Sequence, residues 1–266
     1  MELEGKRVVV TGASRGIGEG MATAFAAAGA HVALVARSEG PLRALAERLG
    51  GTAHPADLTD PAARTGLVAA IEGDGGPVDV LINNAGIEVA APIDRQSAED
   101  VSDVFQVNLL APVELTRQVL PGMIDRRSGH VVNISSQAGA VVFPGMSTYA
   151  SSKAGLSTFT RGLALDLHGT GVGTTIAEIG TVSTDMLDRL EQPGAYRPTT
   201  ASFNRTFALR VQRRLTVEEV AAAVVSAVAS GASAVRLPRR AMAFSLMAAA
   251  PQRLAAGLML GVPKRD

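Results

Sequence analysis

A glycine-rich turn between an apolar strand and an alanine-rich helix constrains this 266-residue chain more than any other feature. Val8 to Thr11 is a β-branched run, the letters TGASRGIG follow at 11–18, and a helical pattern covers Glu19 to Ala28. Glycine permits a tight turn, and the N–H groups at a helix N-terminus favour a phosphate group. The turn therefore predicts an anion-binding strand-turn-helix unit, although a turn that only packs the helix on the strand could carry the same glycines.

Strand and helix patterns alternate along most of the remaining chain. Further strands are predicted at His31–Ala36, Val78–Asn83, His130–Ser135, Gly173–Ile179 and Ala234–Leu237. Further helices are predicted at Pro41–Leu49, Pro61–Glu72, Val104–Arg126, Ala150–Leu167 and from Thr216, which has Glu219 three residues on. This alternation predicts an α/β fold, a single-domain doubly wound (Rossmann) parallel sheet of about seven strands with helices on both faces.

No linker or internal repeat divides the chain, so we expect one dinucleotide-binding and catalytic domain at 1–238. It includes an irregular segment at 181–215, whose length is typical of a substrate lid. The remainder, 239–266, forms an apolar C-terminal tail of the same domain. Pro251 and Arg253 interrupt it, so it is too short to span a bilayer. Two interpretations stay open, packing within the core or an oligomer and peripheral membrane contact through 239–262.

Composition excludes several classes of function. Lys+Arg and Asp+Glu both number 25, which argues against nucleic acid as a partner. The chain has no cysteine and only four histidines, so neither a thiolate nucleophile nor a metal site is expected. The acidic N-terminal segment lacks the pattern of a signal peptide, which predicts a cytoplasmic protein.

Two side chains predict acid/base chemistry. Tyr149 and Lys153 are four residues apart, so they share one face of a helix. An adjacent ammonium favours phenolate, which predicts a lowered pKa for Tyr149 and a role as the general acid/base. Ser136 follows the fifth strand, at the edge where open α/β sheets bind ligands, and its hydroxyl would hold the substrate oxygen.

In these features the chain resembles the short-chain dehydrogenase/reductase family, over roughly residues 5 to 237. The motifs that carry the resemblance are Gly12, Gly16 and Gly18, then Asn83-Asn84-Ala85-Gly86, Asn108, Ser136, and Tyr149-x-x-x-Lys153. The resemblance implies that Asn108, Ser136, Tyr149 and Lys153 are catalytic. Asn108 would relay protons through its backbone carbonyl, and Lys153 would bond the nicotinamide ribose. It also implies a homodimer or homotetramer that forms through the long helices.

Charge at the end of the second strand predicts the coenzyme. NAD-binding folds usually place an acidic residue there, but this chain has Ala36 followed by Arg37, with Arg15 in the glycine turn. Two guanidiniums suit a 2′-phosphate, so NADP(H) is predicted, with NAD(H) as the alternative. The predicted cofactor-binding residues are Gly12, Ser14, Arg15, Gly16, Ile17, Gly18, Arg37, Asp57, Leu58, Asn84, Ala85, Gly86, Tyr149, Lys153, Gly180, Val182 and Thr184.

Some of these assignments leave alternatives. The resemblance gives Asp57 an adenine contact and Thr184 a carboxamide contact, but Asp57 could cap a turn and Thr184 a helix. Ile179 replaces the family's usual proline, which leaves cofactor geometry beside it open. An apolar substrate pocket is one interpretation of Met186, Leu187, Leu190, Phe203 and Phe207, and core packing is the other. A solvated basic face is favoured over an anionic-substrate site for Arg205, Arg210, Arg213 and Arg214.

The sequence thus predicts an NADP(H)-dependent oxidoreductase that interconverts a small-molecule carbonyl compound and an alcohol by hydride transfer. An NAD-dependent alcohol dehydrogenase of the same fold is the first alternative. A non-catalytic dinucleotide-binding protein is the second.

Overall fold

A computed structural model of the chain describes residues 1–192 and 194–241. Most of the apolar tail predicted at 239–266 therefore lies outside the described residues. Its proposed contacts with an oligomer or a membrane lie there too.

The centre of the protein is one seven-stranded parallel sheet in the order β3-β2-β1-β4-β5-β6-β7. The strands are β1 Arg7–Thr11, β2 His31–Ala36, β3 Thr52–Pro55, β4 Val80–Asn83, β5 Gly129–Ser136, β6 Val172–Ile179 and β7 Ala234–Leu237. The chain runs outward from β1 to β3 and then returns to β4, so the strand order reverses between β1 and β4. Ligands of open α/β sheets bind outside the carboxyl ends of the strands at such a reversal.

Helices cover both faces of this sheet. They are α1 Gly16–Ala27, α2 Glu39–Leu49, α3 Pro61–Arg64, α4 Leu67–Gly75, α5 Ala98–Phe105, α6 Ala111–Asp125, α7 Ser147–Asp166, α8 Asp185–Glu191, α9 Arg197–Ala208 and α10 Val217–Ser230. Side chains alternate along each strand, so Val8 and Val10 join one apolar core, which contains Phe25 of α1. Val9 joins the other core, which contains Met123 of α6. The doubly wound fold predicted from the sequence is confirmed.

Two predicted helices differ most from the structure. The helix expected at Pro61–Glu72 is split into α3 and α4, because Gly66 adopts a left-handed φ of 71° between them. The helix expected at Val104–Arg126 begins earlier, at Ala98, where Ser97 and Asp100 form a capping box. It also contains a π-helical segment at Gln106–Leu110. The capping box predicted at Thr216 is present: its hydroxyl accepts from Glu219 N at 3.2 Å, and its own N–H donates to Glu219 Oε2 at 2.9 Å.

The segment 181–215 is not irregular as predicted, because it contains α8 and α9. The buried face of α9 includes Thr199, Ser202 and Thr206, which are polar. The hydroxyl of Ser202 donates to Pro198 O at 2.7 Å, and that of Thr206 donates to Phe203 O at 2.8 Å. A hydroxyl that donates a hydrogen bond to a carbonyl of its own helix can be buried at little cost. Helix α9 therefore buries one face without the apolar periodicity that predicts a helix from sequence.

A buried histidine in β5 predicts acid sensitivity. The hydroxyl of Thr175 donates a hydrogen bond to Ala232 O. Its oxygen therefore accepts the hydrogen bond from His130 Nε2, at 2.7 Å. Burial and the positively charged N-terminus lower the pKa of His130 from 6.5 to about 4. The unfolded chain therefore binds a proton between pH 6.5 and 4 that the folded chain does not bind. The free energy of unfolding is therefore expected to decrease as the pH is lowered from 6.5 to 4. The protonation of His130 accounts for up to about 3 kcal/mol of this decrease.

Urea unfolding at several pH values measures this effect. His130→Gln removes the titrating ring and is expected to flatten the pH dependence, whatever its effect on stability at pH 7. His31 is exposed on β2. We therefore expect His31→Gln to keep the wild-type dependence of the unfolding free energy on pH. If His130→Gln shows the same dependence of the unfolding free energy on pH as the wild type, this prediction is wrong.

Candidate active site

A cavity of about 730 Å³ opens at the carboxyl ends of the strands, beside the reversal between β1 and β4. Its volume is within the range of small-molecule and cofactor sites. Every residue predicted to bind the cofactor lines it, as does Ser136. Asn108 does not line the cavity; it is fully buried behind the wall. The structure therefore brings together residues that are far apart in the sequence.

Glycines of the turn allow two close backbone approaches. A Cβ on Gly12, whose φ is +65°, would lie 2.8 Å from Ala85 Cα, and one on Gly18 would lie 2.1 Å from Gly12 O. Helix α1 follows with Arg15 at its N-cap and no side-chain cap. Packing alone thus requires these glycines, while the uncapped N-terminus of α1, on the cavity wall, fits a phosphate group. The packing interpretation of the turn is therefore observed, and the phosphate-binding interpretation stays a prediction.

Hydrogen bonds join the ends of β1 and β4 under the cavity. Thr11 Oγ1 accepts from the N–H groups of Asn84 and Ala85, both at 3.0 Å, and Asn84 Nδ2 donates to Thr11 O at 2.9 Å. Asn83 points elsewhere, since its Nδ2 donates to Asn133 Oδ1 at 2.8 Å in the buried interior. Asn84 and Ala85 therefore shape the cavity wall, and Asn83 holds β4 to β5.

Tyr149 and Lys153 lie on one face of α7, as their spacing predicts, and both are buried. Lys153 Nζ lies 5.9 Å from the centroid of the Tyr149 ring and donates to Ile134 O at 3.0 Å. Ser136 ends β5 and hydrogen-bonds the Tyr149 hydroxyl. The phenol, the aliphatic hydroxyl and the amine thus meet on one wall of the cavity.

The predicted lowering of the Tyr149 pKa is wrong. Burial raises the pKa of Tyr149 above its usual value of 10, and the negative charge of Glu88 raises it further. The hydrogen bond from Ser136 acts in the opposite direction but is weaker. Burial also lowers the pKa of Lys153 from 10.5 to about 8. Tyr149 is therefore a neutral phenol near pH 7, suited to donating a proton.

Asn108 lies in the π-helical segment, behind the cavity wall, and its side chain hydrogen-bonds the backbone of that wall. Its Oδ1 accepts from Ile87 N and its Nδ2 donates to Ile87 O, both at 2.9 Å. The same Nδ2 donates to Ser152 Oγ at 3.0 Å, and Ser152 Oγ donates to Tyr149 O at 2.7 Å. Asn108 thereby links the chain after β4 to the start of α7.

Two arginines line the cavity where it passes the glycine turn and the end of β2. Arg15 lies 3.5 Å from Asp185 and Arg37 lies 3.7 Å from Asp57, and both guanidiniums are largely exposed. Asp57 also accepts from the N–H and hydroxyl of Thr59, which holds its pKa below the ordinary value. The turn-capping alternative for Asp57 is thus observed. Exposed ion pairs contribute little energy, so both arginines can be recruited by a phosphate.

The backbone after β6 continues without the family's proline. Ile179 is buried and is the last residue of β6, opposite Ser136 of β5 and Leu237 of β7. Gly180 N then donates to Leu237 O at 2.7 Å. Thr184 stands just before α8, where its carbonyl accepts from Asp188 N, and its hydroxyl donates to Val182 O at 3.4 Å.

Apolar side chains form the other end of the cavity. Phe143 and Phe203 stack there with ring centroids 4.6 Å apart. Of the predicted pocket residues, Met186, Leu187, Leu190 and Phe203 line the cavity. Phe207 is not in the wall and lies under the guanidinium of Arg214, at 5.8 Å. Arg205, Arg210, Arg213 and Arg214 are likewise not lining residues.

Several residues of the described wall were not predicted from the sequence, among them Glu88, Gln137, Phe143 and Met146. Glu88 could have been predicted, because it comes two residues after the Asn-Asn-Ala-Gly motif at the end of β4. Phe143 and Met146 precede α7, where no local pattern shows which way their side chains point.

The described residues contain neither a metal-binding cluster nor a helix that could cross a membrane. No group of three or more histidine or acidic residues in 1–192 and 194–241 could hold a metal ion. Over the same part of the chain, no helix has both the length and the apolar content that a membrane crossing requires. The predicted absence of a metal stays a prediction.

A doubly wound parallel sheet with this turn and cavity defines a dinucleotide-binding α/β protein. The family described as short chain dehydrogenase matches residues 6–194. The chain therefore belongs to the short-chain dehydrogenase/reductase family of oxidoreductases.

Several curated proteins are similar to this chain. Ketoacyl reductase HetN of Nostoc sp. is 41% identical over 186 residues, which cover 68% of this chain and 65% of HetN. The 3-oxoacyl-[acyl-carrier-protein] reductase FabG of Escherichia coli is 36% identical over 188 residues, which cover 70% of this chain and 77% of FabG. A short chain dehydrogenase of Pseudocercospora fijiensis is 42% identical, and the match covers 70% of this chain and 62% of that protein. The chain thus spans less than two thirds of the length of HetN and of the Pseudocercospora protein.

Two solved structures share the whole fold. A short-chain dehydrogenase from Streptomyces avermitilis has a TM-score of 0.80 and 30% identity, and the match covers 97% of this chain and 96% of that one. A short-chain dehydrogenase from Sphingobium yanoikuyae, solved in complex with NADPH, has a TM-score of 0.77 and 27% identity, with 98% of each chain covered.

Proposed function

We propose that this protein is an NADPH-dependent reductase that converts a small carbonyl compound to an alcohol, with Tyr149 as the proton donor. One observation carries the proposal: a neutral buried phenol, a serine hydroxyl and a lysine amine share a cavity with two exposed arginines. The resemblance of the chain to a dehydrogenase solved with NADPH supports it.

The site residues would divide the reaction between them. Ser136 would donate a hydrogen bond to the substrate oxygen and place it beside the Tyr149 hydroxyl. When bound, NADPH supplies the hydride for the carbonyl carbon. Tyr149 would give its proton to the carbonyl oxygen as negative charge develops there. Lys153, with a pKa of about 8, holds a proton near pH 7 and would bond the nicotinamide ribose.

The coenzyme would lie along the cavity from the arginines to Tyr149. The uncapped N-terminus of α1 would receive the pyrophosphate, and Arg15 and Arg37 the 2′-phosphate. Leu58, Gly86 and Gly180 would contact other parts of the coenzyme. Each of these residues faces the cavity, which supports this arrangement.

A homodimer or homotetramer through the long helices is part of the proposal. Leu110 is 44% exposed at the end of the π-helical segment, and Ile124 of α6 and Leu165 of α7 are 39% and 79% exposed. Exposed apolar side chains on neighbouring long helices support burial against another subunit. The cytoplasmic location and the domain bounds 1–238 and 239–266 stay predictions.

Loss of reduced-nicotinamide absorbance, measured with a panel of aldehydes and ketones, tests the proposed reaction. The wild-type protein is expected to oxidise NADPH with at least one carbonyl compound and to prefer NADPH to NADH. Tight NADPH binding with no turnover across the panel would reject the reductase and favour a binding protein. Alcohol oxidation that prefers NAD would instead favour the NAD-dependent dehydrogenase.

A further inference from the structure

A buried arginine supports the cavity wall at 56–59, the four residues that follow β3. All four residues of this wall segment line the cavity. Its Asp57 lies 3.7 Å from Arg37, so the segment stands beside the guanidinium proposed to bind the 2′-phosphate. Arg64, the last residue of α3, does not line the described cavity and is only 3% exposed. A buried guanidinium is costly unless its N–H groups have acceptors, so the acceptors of Arg64 indicate its role.

The guanidinium of Arg64 joins three parts of the chain. Its Nη1 donates to Leu58 O at 2.7 Å, within the wall segment 56–59. Its Nη2 donates to Gln106 Oε1 at 2.8 Å, at the start of the π-helical segment, and its Nε donates to Glu114 Oε2 at 2.9 Å on α6. Each of the three guanidinium nitrogens therefore has an acceptor at short distance.

The backbone of Arg64 is anchored on α6 as well. Gln118 Nε2 donates to Arg64 O at 2.8 Å, and Gln118 Oε1 accepts from Val68 N at 3.3 Å. A guanidinium is planar, and its donors point in fixed directions. Because both the main chain and the side chain of Arg64 are held, the position of the Leu58 carbonyl is set relative to α6 and the π-helical segment.

Arg64 thereby connects two parts of the cavity wall that are far apart in the sequence. Leu58 lies in one of them, and Val107, the neighbour of Gln106, lines the other. Within the wall segment itself, the bonds are local: Asp57 Oδ1 accepts from Thr59 N at 3.0 Å. A wall whose parts are already fixed to each other loses less conformational freedom when a ligand binds.

We infer that Arg64 is a positioning residue for the coenzyme: its guanidinium keeps the wall segment 56–59 in the arrangement that receives the adenosine half of NADPH. Arg64 acts through the Leu58 carbonyl and does not touch the coenzyme itself. The inference rests on the proposed placement of NADPH in this cavity, and it extends that placement to a residue that the sequence analysis did not predict.

Binding of adenosine 2′,5′-bisphosphate, the adenosine half of NADP, tests the inference. Its Kd is measured by calorimetry for the wild type and for Arg64→Met, which keeps an unbranched side chain and removes every N–H donor of the guanidinium. The Kd is expected to rise by about tenfold or more, because the wall segment must then be ordered on binding. The KM for NADPH is expected to rise with it, and kcat at saturating NADPH to change much less.

A second buried arginine provides the matched control. Arg7 is 8% exposed and its Nη2 donates to Ile71 O at 3.0 Å, but it begins β1, at the amino ends of the strands and away from the cavity. Arg7→Met therefore removes a similar bond between a buried guanidinium and a carbonyl, and it is expected to keep the wild-type Kd. Urea unfolding measures how much each variant is destabilised. An unchanged Kd in Arg64→Met would overturn the inference, and so would an equal rise in Arg7→Met.

Arg64→Lys separates geometry from charge, and it tests the inference even if Arg64→Met does not fold. A lysine keeps a cation beside Glu114, but all its donors lie on one nitrogen, so it cannot reach acceptors that are bonded to three separate nitrogens of arginine. The Kd of the bisphosphate is expected to rise by at least about threefold. A wild-type Kd in Arg64→Lys would show that only the charge is required, and the inference would be wrong.

Binding measurements also separate this inference from the proposed reaction. If the wild type binds NADPH and the bisphosphate but reduces no carbonyl compound, the reductase proposal fails, while weaker binding by Arg64→Met still supports the role of Arg64. If the wild type reduces a carbonyl compound and Arg64→Met binds the bisphosphate as tightly as the wild type does, the reaction stands and the role of Arg64 is rejected.

Discussion

Replacing Tyr149 by Phe is expected to lower kcat for carbonyl reduction by about 10²- to 10⁴-fold, the usual contribution of a positioned acid or base. Phenylalanine keeps the buried ring and removes only the hydroxyl. The packing against Phe143 and Met146 is therefore retained, while the hydrogen bond with Ser136 and the donated proton are lost. Steady-state kinetics measures the loss, and titration of nicotinamide fluorescence measures NADPH affinity, which is expected to change little.

The second tyrosine of the chain provides the control. Tyr196 precedes α9 and is not among the described lining residues of the cavity, so Tyr196→Phe is expected to retain wild-type kcat. Near-normal turnover in Tyr149→Phe would show that the proton comes from another group. Loss of NADPH binding together with turnover would instead assign Tyr149 a role in coenzyme binding.

Replacing both Arg15 and Arg37 by Ala is expected to reduce the preference for NADPH over NADH by about 10²-fold or more. Hydrogen bonds to charged groups contribute roughly 1.5–3 kcal/mol each, so each arginine accounts for at least about tenfold. NADH has no 2′-phosphate, so its kcat/KM is expected to change little. The ratio of kcat/KM for the two coenzymes, with one carbonyl substrate, is the measurement.

Single variants and a nearby control sharpen this test. Arg43 lies on α2, pairs with Glu39 and does not belong to the described cavity wall. Arg43→Ala therefore removes a similar charge and is expected to keep the wild-type preference. If the double variant still prefers NADPH as strongly as the wild type, the 2′-phosphate is bound elsewhere.

Much of the fold could be read from local patterns. The β-branched run of β1, the following glycines and the capping box at Thr216 and Glu219 are determined by nearby residues. Their conformations depend on side-chain shape and on hydrogen bonds a few residues apart, which sequence displays directly. The order of Ser136, Tyr149 and Lys153 was equally informative, because a strand end and a helix face follow from periodicity.

Other elements depend on partners that are distant in the chain. Helix α9 buries hydroxyls, so its pattern does not stand out, and the π-helical segment at Gln106–Leu110 has no simple sequence signature. Asn108 shows the same limit. An asparagine in a helix is usually only tolerated, but here both ends of its amide bind Ile87, which is twenty-one residues earlier.

The amino-acid sequence alone determined the alternating α/β architecture and the residue types of the cavity, because periodicity and turn chemistry are local. Only the tertiary structure decided the protonation of Tyr149. Its neighbour Lys153 suggested an acidic phenol, but burial of the ring and the charge of Glu88, contributed by the chain after β4, raise its pKa. Desolvation depends on every group packed around an atom, and that set is defined only when the chain has folded.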